Sequence, residues 1–161
     1  MRRLPLQGVL ALLVGLAGCD RPGPLSAAVR GKQSPPPAAP AWAAGLQGKA
    51  LADAFPRTVQ CVSAVDAVTE RYQGARRVVG WAWNTTRSQP IERLAIVDAA
   101  GRMVGFGEGG GDRPDVPAAV PQVRSRQTGW WAVSPTVEPR YAVYGLDTAT
   151  ASACRLGEVK P

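Results

Sequence analysis

The feature that most constrains the fold is a series of short strand-like stretches in the second half of the chain. Within residues 57–161, runs rich in Val, Ile, Trp and Tyr alternate with clusters of Gly, Pro, Asn and Asp. β-Branched and aromatic residues favour strands, whereas the intervening residues favour turns. No long helical period interrupts the pattern, which predicts an all-β domain: a small antiparallel β-sandwich, Ig-like or jelly-roll-like. The seven predicted strands cover residues 58–69, 76–83, 91–98, 103–107, 129–134, 141–146 and 152–156.

The clearest local signal within this domain is a β-hairpin over residues 91–107. Asp98-Ala99-Ala100-Gly101 supplies its turn, and Gly101 is suited to a positive φ. A brief helical turn is expected near residues 115–119.

The chain has three cysteines, at positions 19, 61 and 154. Cys61 lies in the first predicted strand and Cys154 in the last, so a bond between them would join the two ends of the domain. If Cys19 is modified, an even pair remains, which in an exported chain favours a disulfide. We expect that disulfide and a contribution of about 2–4 kcal/mol to stability; the alternative is two buried free thiols.

The N-terminus has the features of an export signal. Arg2 and Arg3 precede an apolar stretch that ends at Ala17, well short of the ~20 residues that a spanning helix needs. The motif Leu16-Ala17-Gly18-Cys19 resembles the bacterial lipobox. The resemblance implies that residues 1–18 are a signal peptide, that Cys19 receives a diacylglyceryl thioether, and that its amine is then acylated, with palmitate as a typical chain. A plain secretory signal with an incidental cysteine is the alternative.

Several acyl chains on one residue anchor a protein stably to a membrane. Asp20, directly after the cysteine, resembles an inner-membrane retention signal of enteric bacteria. The resemblance therefore implies a periplasm-facing lipoprotein of the cell envelope, on the inner rather than the outer membrane.

Residues 19–56 are predicted to form the lipid anchor and a disordered tether. Prolines recur from Pro22 to Pro40 among Ala, Gly and Ser, and such a segment buries too little apolar surface to order itself. Residues 41–54 are rich in Ala and Leu and predict a marginal helix or the end of the tether. Trp42 is expected either to dock on the domain or to belong to the disordered tail.

The residue inventory argues against most catalytic chemistry. The chain has no histidine, which removes the commonest general base, the usual triads and His-based metal sites. We expect no cofactor and no metal. The formal net charge of +7 is dispersed, and no basic run with interleaved aromatics indicates nucleic-acid binding. The charge predicts either a solvated basic surface or attraction to anionic lipids or acidic glycans.

Two tryptophan pairs and one glycine-rich loop are the candidate binding features. Alternation along a strand places Trp81 and Trp83 on one face, whereas Trp130 and Trp131 point to opposite faces. They form either a platform for sugar rings or part of the core. The loop at residues 105–113 lacks the Gly-Lys-Ser/Thr ending of a phosphate-binding loop; it is either a mobile loop pinned by an Arg–Asp pair or a ligand-binding loop. The candidate binding residues are Trp81, Trp83, Glu108, Asp112, Arg113, Asp115 and Trp130.

Several short segments together resemble a poorly characterised all-β module of bacterial envelope proteins. This module often forms the soluble end of large membrane proteins linked to cell-surface polysaccharides. The resemblance covers roughly residues 59–157, implies a sandwich with a terminal disulfide, and transfers no catalytic residue. Asn84 stands where an aspartate is expected. The segments are Gly80-Trp81-Ala82-Trp83-Asn84, residues 96–105, Arg113-Pro114-Asp115-Val116, Thr128-Gly129-Trp130 and residues 153–157.

These features predict a non-catalytic, membrane-anchored lipoprotein whose β-sandwich binds an envelope partner protein or a surface polysaccharide. A structural spacer lipoprotein without a specific ligand is one alternative. A small envelope hydrolase that uses two carboxylates is another. Exposed tryptophans beside Arg113 and Asp115 would favour binding, whereas burial of all four would favour the spacer.

Overall fold

The computed structural model describes residues 34–134 and 140–159, without the side chain of Glu70. The predicted signal peptide, Cys19, Asp20 and the first part of the tether lie outside the described residues. None of the helices within these ranges is long and apolar enough to span a bilayer. The helices are a 3₁₀ turn at Ala41–Ala43, α1 (Leu51–Ala54) and α2 (Asp115–Ala119). The strands are β1 (Arg57–Thr58), β2 (Cys61–Tyr72), β3 (Ala75–Asn84), β4 (Gln89–Pro90), β5 (Arg93–Val97), β6 (Met103–Gly111), β7 (Gly129–Ser134), β8 (Tyr141–Asp147) and β9 (Ser152–Val159).

The all-β prediction is confirmed. Each of the seven predicted strands corresponds to one of the longer strands, and the two-residue strands β1 and β4 are additional. The described strands form one hydrogen-bonded sheet in the order β1-β9-β8-β5-β6-β7-β3-β2, with β4 paired to β3. β1 and β9 are parallel, and the other named pairs are antiparallel. The expected division into the two sheets of an Ig-like or jelly-roll-like sandwich is therefore not confirmed.

The sheet curls until its two ends meet. Cys61 of β2 and Cys154 of β9 have Cα atoms 6.0 Å apart and form the predicted disulfide. Beside it, Ser63 Oγ donates a 2.8 Å hydrogen bond to the carbonyl oxygen of Leu156. Register shifts interrupt several strand pairs, for example in β2 at Asp66. Bulges of this kind bend strands and increase their twist, which explains how a single sheet closes on itself.

The inner face of the curled sheet holds the main hydrophobic core. Leu94 and Ile96 of β5 and Val143 of β8 are completely buried there. Trp130 also lies inside, above Gly80, where a Cβ atom would come within 2.6 Å of the indole ring. Only glycine fits beneath that ring. The core residues are Val78, Ala82, Ile91, Leu94, Ile96, Trp130, Ala132, Tyr141, Val143, Cys154, Leu156 and Val159.

The segment before β1 covers part of the outer face, although we expected it to belong to the tether. Ala43 and Phe55 are buried against the sheet, and the rings of Trp42 and Phe106 meet edge-on with centroids 5.6 Å apart. The amide of Gly48 donates a 2.8 Å hydrogen bond to the carbonyl oxygen of Met103. The packed domain therefore begins before residue 57, and Trp42 docks on it.

Two further local predictions are confirmed. In the β5–β6 hairpin, Gly101 has a φ of 78°, and Asp98 Oδ1 accepts hydrogen bonds from the amides of Ala100 and Arg102 at 2.9 and 2.8 Å. The helical turn appears as α2. With the residues that follow it, α2 covers a second outer patch, formed by Trp83, Val116 and Val123 together with Val62, Trp81 and Val120.

Candidate functional site

The tryptophans of β3 and β7 divide between the two faces of the sheet. Trp81 and Trp83 share the outer face, as alternation predicts, and Trp130 and Trp131 lie on opposite faces. Trp83 and Trp130 are each only 3% exposed, so neither offers a ring surface on which a ligand could stack. Trp81 and Trp131 are partly exposed. The accessible ring of the second pair is thus Trp131, the neighbour of the predicted candidate Trp130.

Trp131 lies between two recesses of the outer face. The first, which we call the apolar recess, has a volume of about 220 Å³ and lies between residues 36–40 and strands β6 and β7, with Phe106 and Val133 in its wall. The second, which we call the charged recess, has a volume of about 310 Å³ and is bordered by Arg77 and Arg113. Because Trp131 lines both recesses, its ring is the centre of this surface.

Charged side chains flank the Trp131 ring on the neighbouring strands. The Arg77 guanidinium carbon lies 5.7 Å from the ring centroid, within the range of a cation–π contact. Arg77 Nε is buried and has no hydrogen-bond partner among the described residues. Glu108 of β6 pairs directly with Trp131 across the sheet and is exposed. An apolar ring with few oriented polar groups is typical of small-ligand sites.

Arg113 connects the end of β6 to two other parts of the domain. Its Nε and Nη2 donate to both carboxylate oxygens of Asp115 at 2.9 and 2.8 Å, which confirms the predicted pairing of these residues. Its Nη1 donates to Asp66 in the bulge of β2. The hydrogen bonds to Asp115 and to Asp66 raise the pKa of Arg113, and the bond from Arg113 lowers the pKa of Asp115. Asp66, which sequence reasoning did not include, is therefore part of this cluster.

Asp112 is also held by an arginine. Arg126 donates from Nε and Nη2 to its two carboxylate oxygens, at 3.0 and 2.7 Å. The paired carboxylates of this region thus hold the β6–α2 connection in place. Within the described ranges, no group of three or more Cys, Asp or Glu side chains is arranged to hold a metal ion.

The glycine-rich stretch is a strand where the sequence predicted a loop. β6 runs through to Gly111 and pairs with β7 along this stretch. A Cβ atom at Gly107 would lie 2.0 Å from the carbonyl oxygen of Trp131, and one at Gly109 would lie 1.8 Å from that of Ile91. The glycines therefore allow neighbouring backbones to approach closely.

The described residues thus define an all-β domain: one curled sheet, closed by a disulfide, with a partly exposed tryptophan at the centre of its outer face. No family model, no curated protein and no solved structure matches the chain.

Proposed function

We propose that this protein is a non-catalytic lipoprotein of the bacterial cell envelope, anchored through Cys19, and that its β domain binds an envelope glycan or a partner protein. The binding surface is the Trp131 face, which we define as Trp131 with Arg77, Glu108 and the walls of the apolar and charged recesses. The observation that carries the proposal is the partly exposed Trp131 ring between these two recesses.

A glycan fits this surface best. The indole offers a flat apolar area against which the C–H face of a sugar ring packs, and tryptophan provides that contact area at little cost in side-chain entropy. Sugar hydroxyls both donate and accept hydrogen bonds. The guanidinium group of Arg77 provides donors beside the ring. Glu108, two strands away from Arg77 in the sheet, provides an exposed acceptor.

The nearby carboxylates already accept hydrogen bonds from arginines, which favours binding over hydrolysis as the function of this surface. Asp66 and Asp115 accept hydrogen bonds from Arg113, and Asp112 accepts two from Arg126. A carboxyl group whose pKa is lowered, as that of Asp115 is, stays ionised at neutral pH and is a poor general acid. These groups are better suited to fixing the surface than to proton transfer.

The proposal is tested with a glycan array, followed by crosslinking pull-down from intact envelopes. Trp131→Ala is compared with Trp81→Ala, because both rings are partly exposed but only Trp131 lies between the recesses. We expect Trp131→Ala to weaken capture at least about tenfold, a loss of about 1.4 kcal/mol, and Trp81→Ala to leave it nearly unchanged. Equal capture by wild type and Trp131→Ala in both assays would show that this face is not the binding surface.

A further inference from the structure

A third recess, which we call the polar recess, lies at the C-terminal end of β3. It has a volume of about 290 Å³ and is enclosed by the β3–β4 turn, the start of β5 and the turn after β8. This volume is near the lower limit of about 300 Å³ for sites that hold small molecules. None of its residues borders the apolar or the charged recess, so the polar recess is separate from the Trp131 face.

Asn84 in the wall of the polar recess has a buried donor that the protein does not use. The residue is 0% exposed, and its Oδ1 accepts a 3.0 Å hydrogen bond from the amide of Arg87. That bond assigns the orientation of the side-chain amide, because only its oxygen can accept. The Nδ2 atom is buried and has no hydrogen-bond partner among the described residues. A buried donor without an acceptor costs about 1–3 kcal/mol, and this donor belongs to a residue that lines the recess.

Two side chains of the same wall, Asp147 and Thr148, have their acceptor oxygens occupied. Asp147 Oδ2 accepts from Arg87 Nη1 at 2.6 Å, and its Oδ1 accepts from the amides of Ala149 and Thr150. Thr148 Oγ1 accepts a hydrogen bond from Arg93. The buried Asn84 donor is therefore not satisfied by these neighbouring acceptors.

One of the two arginines of the wall has no ion-pair partner among the described residues. Arg87 is balanced by Asp147, whereas the described residues provide no ion-pair partner for Arg93, which stacks on the ring of Trp42 at 5.7 Å. Glu92, the other acid of the wall, is exposed, as is Glu108, the cross-strand neighbour of Arg93, and solvent and salt screen both charges. A ligand that brings its own negatively charged acceptors fits this set of groups.

We propose that the polar recess binds the carboxylate of a small molecule no larger than a single sugar acid or amino acid. The carboxylate receives hydrogen bonds from Asn84 Nδ2 and from the guanidinium groups of Arg87 and Arg93. A planar carboxylate matches the fork of an arginine, and its hydrogen bonds to charged donors are strong. It also provides the acceptor that Asn84 lacks within the protein.

The test is a titration of the full-length protein with small acids. Calorimetry measures the affinity, and the NMR resonance of the Asn84 side-chain amide reports contact with that residue. The probes are galacturonate and N-acetylalanine, each beside its uncharged counterpart, galactose or N-acetylalanine amide. We expect at least one acid to bind, to shift the Asn84 resonance, and to bind at least tenfold more tightly than its counterpart. The preferred acid identifies the source of the carboxylate as a sugar or an amino acid.

Asn84→Asp is the informative variant, because it keeps an oxygen that can accept from Arg87 and replaces the donor with a negatively charged acceptor, which repels a carboxylate. We expect it to weaken acid binding at least tenfold, whereas Gln122→Glu, the same change at an exposed position that does not line the recess, leaves binding unchanged. Should Asn84→Asp fail to fold, Arg93→Gln takes its place with the same expected loss. The proposal is overturned if neither acid binds at millimolar concentration, if the uncharged counterparts bind as well, or if the folded variant binds as tightly as wild type. Because the two sites share no residue, these outcomes are independent of those for Trp131→Ala.

Discussion

At the scale of single residues, Asp147 connects the end of β8 to the β3–β4 turn through its ion pair with Arg87. Burial alone would raise the pKa of Asp147, but hydrogen bonds from Arg87 and Thr150 outweigh burial and hold the pKa below its ordinary value. A carboxyl group with a lower pKa in the folded than in the unfolded state stabilises the fold above the unfolded pKa. That contribution is lost as the pH falls through the folded pKa.

We therefore expect the melting temperature to fall as the pH is lowered from about 5 to about 3. Asp147→Asn removes this titration, so its melting temperature is expected to be lower at neutral pH and to change less over the same range. Circular dichroism melts of both proteins across that range provide the measurement. Parallel pH profiles for the two proteins would show that Asp147 does not contribute in this way.

Gly80 is a second residue with a defined structural role. A Cβ atom there would lie 2.1 Å from the carbonyl oxygen of Ala64 and 2.6 Å from the Trp130 ring. Overpacking of this kind costs about 1–3 kcal/mol, and we expect Gly80→Ala to lose about that much free energy of unfolding in urea denaturation. Gly111→Ala is the control, since its nearest neighbour would be 3.3 Å away; equal losses for the two variants would contradict the packing argument.

The Trp130–Trp131 pair shows how far sequence reasoning reaches at this scale. Alternation correctly predicts that the two rings lie on opposite faces of β7. It does not say which face is the inner one, because Ala132 and Val133 continue the apolar run and no polar residue marks the outer side. The choice depends on Gly80, a residue of the neighbouring strand that makes room for Trp130, and on the segment that covers the outer face.

At the scale of the secondary-structure elements, the disulfide is the main cross-link. It joins β2, at one end of the sheet, to β9 near the other end, across 93 positions of sequence. Closing so long a loop lowers the entropy of the unfolded chain, and we expect the double variant Cys61→Ala, Cys154→Ala to lose about 2–4 kcal/mol in urea denaturation. Non-reducing mass spectrometry of the wild type is expected to give a cross-linked Cys61–Cys154 peptide. Two free thiols, or a variant as stable as the oxidised wild type, would contradict this role.

The segment from residue 40 to residue 55 shows why composition alone misplaces a domain boundary. Its content of Ala and Gly is typical of the end of a tether, and its few large side chains bury little surface by themselves. Phe106 of β6 and Leu146 of β8, which lie far along the chain, form the outer patch against which Trp42 and Phe55 pack. That patch exists only once the sheet has formed.

The number of sheets was the least predictable property at the scale of the whole molecule. The strands themselves are visible in the sequence, because β-branched and aromatic runs alternate with turn residues. Whether such strands divide into two sheets or remain in one depends on local bending. Here the bends fall at register shifts such as the one between Val65 and Ala67, where no glycine or proline marks the bulge.

The proposed lipid anchor makes a prediction for the whole protein. We expect Cys19→Ala to move the protein from the membrane fraction to the soluble fraction, because a protein without acyl chains has no stable anchor.

The net charge of +7 requires a salt wash in that fractionation, because attraction to anionic lipids is screened at high ionic strength whereas an acyl anchor is not. Wild type is expected to stay with membranes through the wash. The double variant Cys61→Ala, Cys154→Ala is the matched control, since it also loses cysteines but keeps position 19, and it is expected to remain bound. Cys19→Ala protein that stays on washed membranes would show that the protein is held by something other than a lipid on this residue.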